Sequence, residues 1–343
     1  MAKQAVTFFD RIAAHRMLTD RFGRRISYLR ISLTDRCNLR CYYCRPEAGR
    51  YRAEERGNLL SFEEIARIVR VAARLGVRKL RMTGGEPLVR RDVPKLIAML
   101  ASIDGIEEIA MTTNATLLAP QAEALARAGL GRINISLDTL CAARFRRLTG
   151  GEIEAVLDGI DAARKVGLSP IKINCVLMRG INDQEVAALM DFAAEQHATI
   201  RFIELMPMRE GLDWKRYFIA ADEVLAQKEV RARLRLDAPL HRDPKEPARY
   251  WPRVDGRGIV GFITPMSARF CAGCNRMRLT ADGMLRPCLP AEHQVSLRAL
   301  LRGGAGDGAI EAAFRRAAWI KPEIGVYQQG HWRDGRSMIG IGG

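Results

Sequence analysis

The sequence predicts an α/β fold, an incomplete TIM-like (β/α)6 barrel with a C-terminal extension. Three observations predict it. From about residue 28, short apolar or β-branched runs alternate with amphipathic stretches at intervals of roughly 25–40 residues, the rhythm of a parallel sheet. Six such units fall short of the eight of a closed barrel. Polar and glycine-rich motifs collect where the apolar runs end, the side on which barrels of this kind carry their chemistry.

The strands are expected at 28–33, 78–82, 108–112, 132–137, 171–177 and 200–205, each ending in a polar or glycine-rich turn. Between them, Ser61-Phe62-Glu63-Glu64 reads as a capping box. It opens a helix with Ile65, Ile68, Val69 and Ala72 on one face and Gly76 as its stop. Pro120 opens another helix and Gly129 ends it, and 152–166 and 182–196 have the same character. Three regions follow: an N-terminal segment (1–27), the partial barrel (28–230), and a C-terminal region (231–343) with a flexible Gly-Gly tail.

At 343 residues the chain can bury a sizeable core. It has no run of about 18 apolar residues and no apolar leader, so a cytoplasmic protein without membrane contact is expected. In that compartment thiols stay reduced, and clustered cysteines point to metal or catalysis. The formal charge of +16 fits either weak nonspecific polyanion binding or a polyanionic substrate. Aromatic residues make up only 6%, so no specific nucleic-acid partner is expected, since single-strand binders rely on stacking platforms.

Cys37-x-x-x-Cys41-x-x-Cys44 lies in R-C-N-L-R-C-Y-Y-C. Three thiolates on one loop can hold three irons of a four-iron cluster and leave the fourth open. A structural zinc site would need a fourth ligand, and none lies nearby in sequence. The spacing, with Tyr43 before the last cysteine, resembles the radical S-adenosylmethionine (SAM) superfamily. There the open iron binds SAM, and reductive cleavage gives a 5′-deoxyadenosyl radical. Thr83-Gly84-Gly85-Glu86-Pro87 resembles the superfamily's motif for the SAM amino group. By itself the glycine pair only permits close backbone approach. Ser136 and Met206 are implied, by resemblance alone, to line the rest of the SAM pocket.

A second set, Cys271-x-x-Cys274 with Cys288, admits two readings. With His293 it would make a zinc knuckle. Alternatively it holds another cluster with an open iron. Arg276 and Arg278, two apart in an expected strand, point to one face and suit an anion. Arg30, Lys79, Arg81 and Lys172 sit inside strands, with Arg201 a weaker case. Buried charge is costly unless paired, and a polyanionic ligand would pair it; an outward-facing position or an internal salt bridge is the other reading of each residue.

Taken together, the chain resembles the GTP 3′,8-cyclase family, the molybdenum cofactor biosynthesis protein A family. The resemblance rests on D-R-F-G-R (Asp20 to Arg24), L-R-I-S-L-T-D-R-C-N-L-R-C-Y-Y-C, R-M-T-G-G-E-P-L-V-R-R-D, T-T-N, I-N-I-S-L-D, F-I-E-L-M-P, F-C-A-G-C-N-R-M-R-L-T-A-D-G and a terminal Gly342-Gly343. It implies two [4Fe-4S] clusters, on Cys37, Cys41 and Cys44 and on Cys271, Cys274 and Cys288, with GTP between them. Arg30, Arg81, Thr112, Lys172, Arg276 and Arg278 match the family's GTP positions. Gly342 and Gly343 are implied to reach the active site and to be needed for activity, as are Arg276 and Arg278. The implied reaction moves hydrogen from C3′ of GTP to the radical, joins C3′ to C8, and yields 3′,8-cyclo-7,8-dihydro-GTP. The implied partners are a downstream cyclic pyranopterin monophosphate synthase, a flavodoxin or ferredoxin as electron donor, and a second copy of the chain in a homodimer. A peptide-modifying radical SAM enzyme is the first alternative, though it does not require Arg276, Arg278 or the diglycine. A zinc-stabilised RNA-binding protein is the second, and it leaves Cys37 to Cys44 unexplained. Cys141 and Cys175 match no cluster position and read as ordinary thiols, Cys175 buried in strand five.

Overall fold

A computed structural model describes residues 17–45, 53–241, 243–325 and 338–342; Gly343 lies outside them. The six expected strands form as β1 (Tyr28–Ser32), β2 (Lys79–Thr83), β3 (Glu108–Thr113), β4 (Arg132–Ser136), β5 (Ile171–Leu177) and β6 (Thr199–Glu204). They pair in parallel in sequence order.

Helix α1 (Phe62–Arg74) begins at the expected capping box, the Glu64 amide donating to Ser61 Oγ and the Ser61 amide to the Glu64 carboxylate. Gly76 ends it at φ 95°, a conformation open to glycine. Then follow α2 (Val93–Ala101), α3 (Ala122–Arg127), α4 (Ala142–Thr149), α5 (Ile153–Lys165) and α6 (Val186–Glu195). The helix expected at 182–196 thus starts late. Its first residues form a turn in which Asn182 accepts from the Met178 amide and donates to the carbonyls of Asp138 and Val176. Those bonds compete with helix formation, as asparagine side chains do.

The C-terminal region contributes strands that the strand–helix rhythm does not reveal: β7 (Ala248–Pro252), β8 (Ile259–Ile263), β9 (Arg276–Leu279), β10 (Met284–Arg286) and β11 (Val295–Ser296). β8 joins β6 in parallel and β9 joins β1 in parallel. Among the described residues one sheet runs β11-β10-β9-β1-β2-β3-β4-β5-β6-β8-β7. Its outer strands are antiparallel, and the barrel stays open. Ile31, Leu80, Met82, Ile133, Ile135, Ile173 and Phe202 are buried against the helices. Among the described residues no helix is long and apolar enough to cross a membrane.

Candidate active site

The C-terminal ends of the parallel strands and the loops from the C-terminal region enclose a cavity of about 530 Å³. Both cysteine sets line it, as do Tyr43, Gly84, Gly85, Glu86, Ser136 and Met206, together with Arg30, Lys79, Arg81, Thr112, Lys172, Arg201, Arg276 and Arg278.

The first cysteine loop follows β1 and is pinned from two sides. The Arg40 and Tyr42 amides donate to Thr149 and Leu148 at the end of α4, and the Gly85 and Glu86 amides donate to Thr34 and Arg36 at 2.7 and 2.8 Å. Within the loop the Cys44 and Arg45 amides return to the Cys41 carbonyl, which turns Cys41 and Cys44 to the same side. The Leu39 amide donates to Cys37 Sγ at 3.4 Å, and Asn114 Nδ2 lies 3.8 Å from it. Burial raises all three thiols, and each is raised further by charge in its neighbourhood, Cys44 to about 12. Three partly buried thiols that disfavour ionisation together require a cation to become thiolates, which is what a metal cluster supplies. The donor set therefore fits an iron–sulfur cluster.

Three residues expected to touch SAM are partly committed within the fold. The Gly85 amide is taken by Thr34, so its carbonyl is the group left for a ligand. Glu86 accepts from the Leu88 and Asn114 amides and from Thr113 Oγ1, tying the end of β2 to that of β3. Burial pushes its carboxyl up to about 7 against those bonds. The Tyr43 hydroxyl donates to Asp138 at 2.8 Å, and Asp138 also accepts from the Val176 amide.

The wall between the two cysteine sets is cationic because of strand register. Arg278, Arg30 and Arg81 stand side by side on β9, β1 and β2. Further round, Thr112, Asn134 and Lys172 are neighbours on β3, β4 and β5, and Ser136, Asn174 and Arg201 on β4, β5 and β6. Burial, and then the Arg278 charge, hold the Arg30 guanidinium well below its ordinary value. Burial lowers Arg201 as well. Lys172 falls to about 8 through burial and the Arg201 charge. Lys79 differs, since its ammonium is half-exposed and paired with Glu108 at 3.6 Å. Glu108 also pairs with Arg132.

In the second set, Gly325 lies between two sulfurs: its amide donates to Cys271 Sγ at 3.5 Å, and a Cβ there would meet Cys288 Sγ at 3.2 Å. Burial acts to raise Cys274, yet Arg276 and the buried Lys321 bring it down to about 6. Lys321 donates to the Arg276 and Pro287 carbonyls. Arg276 Nη2 is buried without a hydrogen-bond partner among the described residues. Among those residues no three His, Cys, Asp or Glu side chains group around a single metal ion. At the tail, Arg278 donates to the Gly342 carbonyl, and Gly342 packs on Thr83 and Ser32.

The structure adds residues that sequence reasoning passed over. Tyr28 accepts from Arg81 at the centre of the arginine row. Burial acts to raise its phenol, but Arg81 and Arg30 bring it below its usual value. Arg24, in the D-R-F-G-R motif, donates to the Cys271 carbonyl at 2.9 Å and to those of Pro322 and Glu323. Tyr250 enters from β7. An aromatic beside in-strand cations was the available signal for Tyr28; Tyr250 had none, because its partners are distant in sequence.

The family model of the Radical SAM superfamily matches residues 31–193, and that of Molybdenum Cofactor Synthesis C matches residues 198–326. The chain is 46% identical over 331 residues to the GTP 3′,8-cyclase of Pelotomaculum thermopropionicum, covering 95% of this chain and 100% of that one. It is 45% identical, with the same coverage, to the GTP 3′,8-cyclase of Moorella thermoacetica. Among solved structures, Streptococcus suis SuiB bound to S-adenosylmethionine superposes with TM-score 0.61 at 17% identity, over 88% of this chain and 70% of that one, which is a likeness of fold. The two cysteine sets on one cavity, the two matched regions and the full-length likeness agree: the chain belongs to the GTP 3′,8-cyclase family of radical SAM enzymes.

Proposed function

We propose that the cavity converts GTP to (8S)-3′,8-cyclo-7,8-dihydroguanosine 5′-triphosphate, the first step of molybdenum cofactor biosynthesis. The observation that carries this reading is the row Arg278–Arg30–Arg81 set between two cysteine sets that face one cavity. Cys37, Cys41 and Cys44 would hold one [4Fe-4S] cluster and Cys271, Cys274 and Cys288 a second. When bound, the first cluster and SAM supply one-electron cleavage and a carbon radical able to take hydrogen.

The chain's own residues position and shield. Gly84, Gly85, Ser136 and Met206 bound the SAM side of the cavity, with Tyr43 and Glu86 fastening its walls. Burial disfavours the charge of Arg30, Lys172 and Arg201, and with Arg81 beside them a triphosphate would relieve the repulsion within the wall. Arg276, with its unpartnered Nη2, and Arg278 reach the nucleotide from the second cysteine set. The Gly342 carbonyl holds Arg278 in place. Lys79, paired to Glu108, contributes at the rim. Holding C3′ against the radical source and C8 against C3′ is the larger part of the catalysis.

Lys172 gives the site a pH dependence. Arg201, Arg132 and Arg81 disfavour its charge, Glu246 favours it, and Tyr250 accepts its hydrogen bond. Its ammonium predominates at neutral pH and is lost progressively as pH rises through about 8. GTP affinity is therefore expected to hold at neutral pH and fall as pH rises past that value, and Lys172→Arg flattens the fall. Calorimetric titration from about pH 7 to about pH 9.5 checks it; identical profiles for the two proteins would count against Lys172 as a phosphate ligand.

The partners we assign are a flavodoxin or ferredoxin, a downstream cyclic pyranopterin monophosphate synthase and a second copy of the chain, in the cytoplasm. The deciding experiment incubates anaerobically reconstituted protein with SAM, reductant and GTP and follows 5′-deoxyadenosine and nucleotide by mass spectrometry. GTP-dependent 5′-deoxyadenosine with a cyclised dihydro-GTP is the expected result. SAM cleavage with GTP untouched would sink the substrate assignment.

A further inference from the structure

Tyr250 on β7 stands opposite Gly261 on β8. A Cβ at Gly261 would lie 2.6 and 2.8 Å from two ring carbons of Tyr250 and 3.1 Å from Arg201 Cγ. The glycine thus lets the ring lie flat on β8 and brings its hydroxyl over the cavity, which Tyr250 lines. Two cations converge on that hydroxyl. Lys172 Nζ donates to it at 3.3 Å, with the ammonium 5.4 Å from the ring centre. The Arg201 charge also acts on the phenol, and Arg201 Cγ lies where a Gly261 side chain would stand. Arg201 Nε is in turn fixed by Asn174 Oδ1 at 2.9 Å. A phenol oxygen that accepts from Lys172 still has its own hydrogen to donate. Lys172 and Arg201, being donors only, cannot take it.

We propose that Tyr250 is the hub of the phosphate site, holding Lys172 and Arg201 as a pair and donating its own hydrogen to a phosphate oxygen of the nucleotide. This rests on the reading of the cavity as a GTP site. Gly261 is then a positioning residue, since any side chain there lifts the ring off the strand and away from Lys172 and Arg201. The hub comes from the C-terminal region, so the phosphate site is completed by β7 and β8 and not by the barrel strands alone.

The experiment measures GTP and guanosine binding to the anaerobic holoenzyme by calorimetry for wild type, Tyr250→Phe and Gly261→Ala. Phenylalanine keeps the ring and its packing. It is expected to weaken GTP about tenfold and to leave guanosine unchanged, as loss of one hydrogen bond to a charged group does. It is also expected to move the alkaline fall in GTP affinity to lower pH. The lost bond favoured the charged form of Lys172 against Arg201, Arg132 and Arg81, with Glu246 the remaining support. Gly261→Ala is expected to weaken GTP in the same direction. If wild type binds GTP and Tyr250→Phe binds it equally well with the same pH profile, the Tyr250 role is overturned and the GTP site stands. Equal loss for guanosine overturns the phosphate assignment. If wild type binds no GTP, the reading of the cavity itself falls, and this proposal with it.

Discussion

Gly85→Ala is expected to strip the first cysteine loop of its iron and abolish SAM binding. An ideal Cβ at that position lies 2.3 Å from the Arg36 carbonyl oxygen, 2.6 Å from its carbon and 3.0 Å from Ile339 Cγ1. The first two are backbone atoms of the segment that leads into Cys37, so no rotamer relieves the overlap. The same segment is held by the Gly85 and Glu86 amides, so β2 and the cysteine loop must separate for the methyl to fit. Overpacking of this kind costs about 1–3 kcal/mol and more where backbone must move. Here the displacement falls on the ligand loop. Gly131→Ala is the control, because its nearest atom, the Ile109 carbonyl oxygen, is 3.8 Å away. Iron content and SAM binding are the readouts, and wild-type values in Gly85→Ala would refute the argument.

The second large effect is expected from Cys274→Ser. If both sets carry four-iron clusters, wild type holds about eight irons per chain and the variant about four. The variant is expected to retain cleavage of SAM and to lose GTP conversion entirely. Cys274 is the thiol most favoured as thiolate, set beside Arg276 and Lys321. It is also distant in sequence from the first loop, being carried in on the segment preceding β9. Metal analysis with the SAM-cleavage assay decides the matter. Zinc in place of iron, or loss of SAM cleavage along with GTP conversion, would defeat the assignment of a separate second cluster.

The six barrel strands were legible because local signals mark them: β-branched runs that end in Thr83-Gly84-Gly85, Thr112-Thr113-Asn114 or Ser136-Leu137-Asp138. The helix at Ser61 was legible for the same reason, its cap being written in four consecutive residues. The cysteines and in-strand cations gave the cavity wall, since strand periodicity puts Lys79 and Arg81 on one face of β2 and Arg30 in phase with Ser32 on β1. What stayed hidden depends on partners distant in sequence. The strand at Arg276 was expected but its place beside β1 was not, and Glu86 is a structural brace because Thr113 and Asn114 arrive beside it. Lys79 could not be told from its in-strand companions until Glu108 came alongside it on β3. Tyr250 acquires its meaning only from Gly261, Lys172 and Arg201.

The pairing of β9 with β1 also orders events at the ribosome. Asn275 Nδ2 bonds Ser27 Oγ across 248 residues of sequence, next to that pairing. Translation at about 5–20 residues per second leaves β1 as a raw sheet edge for tens of seconds before β9 emerges. A bare parallel edge invites association with other nascent chains. The Arg30 charge on that edge, and Arg81 beside it on β2, oppose such pairing for as long as the gap lasts. Arginines that line the finished cavity would thus also guard the open edge during synthesis, and that cavity is closed only when the last strands arrive.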